Sequence, residues 1–111
     1  MNPLIKTFLR HARDRPSMFG LDGSFGEYVA FLSGLDTGAG GRVLEGFGAW
    51  VARRAGHGGW DLVWPLLVLR TAGLDASAET WHGLGAEEDA RAVAELFELL
   101  GAFVRDRGDR V

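Results

Sequence analysis

The sequence predicts an all-α fold, a single-domain bundle of four to five helices around a buried central helix at about 61–72. The first observation behind this is the stretch Trp60-Asp61-Leu62-Val63-Trp64-Pro65-Leu66-Leu67-Val68-Leu69-Arg70, which carries no charge between Asp61 and Arg70. An element without a polar side must be covered all round by its neighbours. The second is a set of apolar positions at helical spacing in the segments on either side. The third is the short connections between those segments, which suit helices packed as near-antiparallel neighbours. Pro65 decides between helix and strand for the apolar stretch. It would break the ladder of a central strand, whereas the first N–H groups of a helix lack partners anyway. A buried strand over 62–69 is the alternative, because a short apolar run does not reveal its period.

In chain order, Asn2 is a cap and Pro3 suits a first helical position, opening a helix at about 3–14 with Leu4, Ile5, Phe8, Leu9 and Ala12 on one stripe. Lys6, Arg10 and Arg13 fall on its other side. Pro16 breaks the pattern. Ser24 with Glu27 three residues later forms a capping box for a second helix to about Leu35, with Phe25, Tyr28, Val29, Leu32 and Leu35 inward. Residues 34–41 read as a flexible connection. A third helix, about 42–55, places Val43, Leu44, Phe47, Trp50 and Val51 on one side. Gly46 and Gly48 weaken it, and make most sense if another helix crosses closely. Gly73 closes the central helix. Residues 74–81 form a short helical turn or a loop, with Trp81 capping the core. The longest helix runs from Ala86 to about Arg105, burying Ala90, Val93, Ala94, Phe97, Leu100 and Val104, with Leu96 and Phe103 widening the stripe. Glu87, Glu88 and Asp89 occupy its first turn, where the helix dipole favours them. The remainder, from Arg105, reads as a frayed, charged tail.

Composition bounds the function. A chain of 111 residues with 47% hydrophobic side chains is one domain, residues 1–111, with enough apolar material for a core. A net charge of −3 and a pI near 5.5 speak against nucleic acid as a partner. The charge is uneven: residues 1–56 hold seven Lys/Arg against five Asp/Glu, and residues 57–111 hold five against ten. The absence of cysteine removes disulfides and thiolate chemistry and suits the cytoplasm. The uncharged run Leu62 to Leu69 is far shorter than the ~20 residues of a membrane-spanning helix, so no membrane role is expected.

Tests for chemistry give no catalytic, cofactor or metal residues. His11, His57 and His82 share no ligand spacing, and zinc needs three or four ligands. Glu87-Glu88-Asp89 compensates a dipole, and Glu95 with Glu98 lies on the solvent side of the last helix. Ser17, Ser24, Ser33 and Ser77 have no nucleophile-elbow context. The glycines at 38, 40 and 41 precede a helix but lack the Lys-Ser/Thr ending of a phosphate loop.

Arg15-Pro16-Ser17-Met18-Phe19 resembles the opening of type II topoisomerase ATPase domains, but the helix after it holds no Asn and the chain is too short for that domain. The fuller resemblance is to small bacterial proteins with an Arg-Pro-x-Met-Tyr/Phe opening. Its motifs here are Phe31-Leu32-Ser33-Gly34, Phe47-Gly48-Ala49-Trp50-Val51, Trp60 before the buried helix, and Ala90, Ala94, Phe97 and Phe103 in the last helix. The chain departs from that pattern at Phe19, where tyrosine is commoner, and in its glycine-rich connection at 38–41. Such proteins look like immunity partners of secreted bacterial toxins. The resemblance implies a non-enzymatic binding protein that neutralises a cognate protein toxin by occlusion. An acidic face of Glu79, Glu87, Glu88, Glu95 and Glu98 would then meet a basic partner. A second reading is a small-molecule-sensing or enzymatic domain with a pocket near Arg15, Trp50, Trp60 and Trp81, beside the Pro16, Met18 and Phe19 motif. A third is a homo-oligomeric module joined through Phe19, Leu21 and Leu74.

Overall fold

Pro65 stands at the start of a helix, Trp64–Thr71, and the five residues from Pro65 to Leu69 are all buried. The element order in the computed structural model, which describes residues 3–56, 63–75, 81 and 83–107, is α1 (Pro3–His11), a 3₁₀ turn (Pro16–Phe19), α2 (Phe25–Gly38), α3 (Phe47–Arg54), α4 (Trp64–Thr71) and α5 (Ala86–Asp106). No strand occurs among the described residues, so the strand reading of 62–69 fails for the part that is described. Trp60, Asp61, Leu62, Glu79, His57 and His82 lie outside the described residues, as does most of the expected turn at 74–81.

The buried helix α4 packs chiefly against α3 and α5, while α5 packs against all four other helices. Two aromatic clusters on α5 show how it reaches them. Phe97 stacks on Phe8 of α1 at 5.3 Å and meets Tyr28 of α2 edge-on at 5.2 Å. Phe103, six residues on and therefore about 120° round the helix, lies 5.2 Å from Phe47 and 5.7 Å from Trp50 of α3. Neighbours on several sides turn the buried arc away from the predicted stripe. Ala92 and Leu99 are buried, Ala90 is exposed, and Val93 and Ala94 are only half-buried. The radius of gyration, 13.1 Å, is that of a single compact body of about 100 residues.

Helix ends differ from expectation where glycine or a distant side chain intervenes. Helix α2 continues to Gly38, so residues 34–38 are helical rather than a connection. It closes as Gly41 N–H reaches back to Asp36 O and Gly40 adopts φ +70°. Helix α3 starts at Phe47, five residues later than predicted, because Gly46 takes φ +82° at its N-cap and Leu44 N–H is held by Asp36 Oδ1 at 2.7 Å. Val43 and Leu44 are buried all the same, as loop residues. The close crossing expected at Gly46 and Gly48 does not require glycine: a Cβ at Gly48 would lie at an ordinary 3.8 Å from Trp64 Cβ of α4, and one at Gly46 would meet nothing within 4 Å. Gly73 ends α4 as predicted, at φ +79°, with Leu74 N–H bonded to Leu69 O. Of the expected frayed tail, α5 takes in Asp106, and Arg107 caps it while donating to Val43 O at 2.9 Å; residues 108–111 lie outside the described residues.

Candidate functional site

Charged side chains line one outer face of α5. Glu87, Glu88, Arg91, Glu98 and Arg105 are exposed and Glu95 is half-exposed, an arrangement that follows from their three- and four-residue spacing. The end of α1 lies beside this row. Leu9, Arg10, Arg13 and Asp14 line an open hollow of 540 Å³ together with Phe97, Glu98, Gly101 and Arg105. A second hollow of 330 Å³ shares Arg13 and Glu98 with the first and adds Arg91, Ala94 and Glu95. The acidic face expected of Glu95 and Glu98 is therefore a mixed one, because the fold brings arginines of α1 and α5 beside them. Glu87 and Glu88 stay exposed in the first turn of α5, where the row is most acidic.

Asp89 has a role that its place in the α5 dipole did not announce. Its Oδ1 accepts the backbone N–H of Phe25, the first residue of α2, at 2.9 Å. Ser24 Oγ accepts Glu27 N–H at 3.4 Å, as the capping box requires, but Glu27 Oε1 accepts Asp22 N–H instead of returning to Ser24. Ser24 N–H goes to Asp22 Oδ1 at 2.8 Å, and hydrogen bonding from Ser24 lowers the Asp22 carboxyl below its ordinary pKa of 3.8. A hollow of 400 Å³ opens here, between Ser24, Gly26, Glu27 and Asp89 on one side and Trp81 and Leu84 on the other.

Of the aromatic pocket in the small-molecule reading, Trp60 lies outside the described residues, and Trp50 and Trp81 stand apart. Trp81 borders the hollow beside Asp89, whereas Trp50 donates its indole N–H to Asp106 Oδ2 at 2.9 Å. Asp89 and Asp106 are separated by about 25 Å along α5 at the rise of an α-helix. Arg15 is exposed at the N-cap of the 3₁₀ turn. Its neighbours in the motif are a packing device. Phe19 sets its edge against Phe8 and Phe31 at 5.8 and 5.5 Å, and Pro16 lies against Gly23, whose absent Cβ would stand 3.4 Å from it. Met18 points outward, 58% exposed.

The self-contact expected of Phe19, Leu21 and Leu74 is also corrected. Leu74 is buried, and the other two are partly buried against the same core, so none is spare. Residue spacing alone did not flag the arginines at 10, 13 and 105 as a group. Arg10 and Arg13 looked like an ordinary solvated side of α1, and only the docking of α1 on α5 sets Arg105 beside them. Among the described residues, no group of three or more His, Asp or Glu is placed to hold a metal ion, and no helix is long and apolar enough to cross a membrane. A scan against protein-family models finds no match, and comparisons with curated proteins and with solved structures give no significant match either.

Proposed function

We propose that this protein is a non-enzymatic binding protein of the immunity type, which neutralises a protein toxin by covering its working surface. The observation that carries the reading is the exposed charged row of α5, from Glu87 to Arg105, about 27 Å long at the helical rise. A strip of that length and one helix wide covers roughly 300 Å², so a standard interface of about 800 Å² per partner would also take in the end of α1 and the surface around it. Its acidic end at Glu87 and Glu88 favours a partner with a basic surface, since complementary charge speeds encounter and fixes register. The cysteine-free chain accords with action in the cytoplasm.

Co-expression with toxin-like products of adjacent genes tests the reading. Growth rescue and a stable complex with one of them are expected. The double variant Glu87→Lys, Glu88→Lys is expected to slow association about tenfold while keeping the helical signal, because charges at an interface rim act mainly on the on-rate. If no adjacent product binds and none is neutralised, the reading is wrong.

A further inference from the structure

We propose that the 540 Å³ hollow between the end of α1 and the C-terminal half of α5 binds an oxyanion, the phosphate or carboxylate group of a small molecule. Three arginines line it, Arg10 in the last turn of α1, Arg13 in the turn that follows and Arg105 in the last turn of α5. Asp14 and Glu98 also line it, which leaves one net positive charge. The volume lies within the range of small-molecule sites, and the planar donor fork of arginine matches the oxygens of phosphate and carboxylate in pairs. Leu9 and the buried Phe97 add apolar wall for the rest of such a ligand.

Gly101 supplies the second observation. It sits inside the longest helix, where glycine is a poor helix former. A Cβ at this position would lie 3.4 Å from Arg105 Nη1. That is an ordinary contact distance, and it places the Arg105 guanidinium beside Gly101, folded back along the helix at the lining of the hollow. The hollow lies within the strip assigned to a protein partner, but this inference concerns a small ligand and its test needs no toxin.

The test is a titration of the whole protein with inorganic pyrophosphate and, separately, with succinate, followed by backbone amide shifts against sodium chloride at matched ionic strength. Saturable shifts centred on Arg10, Arg13, Gly101 and Arg105 are expected from at least one probe. Response to pyrophosphate alone assigns a phosphate ligand, response to succinate alone a carboxylate, and response to both the oxyanion itself. Arg105→Gln is expected to weaken binding about tenfold, the loss of one charge-assisted contact. Glu98→Gln, which removes a like charge from the wall, is expected to tighten it. Circular dichroism and melting of each variant separate these effects from unfolding. Shifts that sodium chloride reproduces, or no saturable shift with either probe, would overturn the proposal. So would Arg105→Gln and Glu98→Gln moving the affinity in the same direction while both remain folded.

Discussion

Asp89 on α5 caps α2: its Oδ1 receives the Phe25 N–H at 2.9 Å, across 64 residues of chain. The bond satisfies one of the first N–H groups of α2, which no residue within that helix can reach. It also ties the N-terminal ends of two helices together at the edge of the hollow beside Trp81. Asp89→Ala is expected to cost about 1 kcal/mol, the usual loss for a removed N-cap acceptor. Glu88→Ala next to it, exposed and outside this bond, is expected to change stability by less than about 0.5 kcal/mol. Urea unfolding of the two variants makes the comparison, and equal losses would argue against the cap.

Tyr28 fastens α2 to the end of α1. Its hydroxyl donates to Ala12 O at 2.5 Å, both residues being buried. Tyr28→Phe leaves that carbonyl without its partner and is expected to cost about 1–3 kcal/mol. Burial pushes the phenol above its ordinary pKa of 10.0. With the folded pKa raised, the unfolded chain gives up its proton first as the solution becomes alkaline. The stabilisation is therefore complete below pH 10 and lost as pH rises through the folded pKa. Asp22 has the opposite sign. Its lowered pKa contributes stability above pH 3.8, which is lost as pH falls through the folded value. Unfolding monitored against pH should show the alkaline limb flattened in Tyr28→Phe and the acid limb unchanged.

Two glycines predict opposite results for the same substitution. Gly73 holds φ +79° with Arg91 Nη2 3.3 Å from the site of a Cβ, and the same Nη2 donates to Ala72 O at 2.7 Å. Gly73→Ala is expected to destabilise by about 1–2 kcal/mol, the strain of a left-handed alanine. Gly48 is helical and meets only an ordinary contact with Trp64. Gly48→Ala is expected to stabilise by about 0.5–1 kcal/mol through helix propensity. Melting temperatures that moved in one direction for both would contradict this assignment.

Leu67→Ala tests the buried helix itself. The side chain is fully enclosed in α4, and its removal is expected to cost about 2–5 kcal/mol in lost transfer energy and cavity. Met18→Ser, in the exposed part of the Arg15 to Phe19 motif, is expected to fall within about 0.5 kcal/mol of the parent. A large loss at Met18 would mean that the motif packs through more than Phe19 and Pro16.

What residue spacing alone determined is the set of elements. An uncharged run with a proline near its start favours a covered helix over a central strand, and α4 is that helix, beginning at Trp64. Ser24, Gly73, Glu87 and Glu88 act over a few residues, so their effects are local and readable, whereas the bond of Asp89 to Phe25 is not. What only tertiary structure decided is which surface faces what. Each helix exposes a stripe of fixed width, but the rotation of α5 depends on four neighbours pressing from different sides, and this buried Ala92 and Leu99 in place of Ala90. The same docking drew Phe19, Leu21 and Leu74 inward, parted Trp50 from Trp81, and set the arginines of α1 beside Arg105. Those pairings join residues far apart in the chain, and no periodicity within a single segment can encode the angle at which two segments meet.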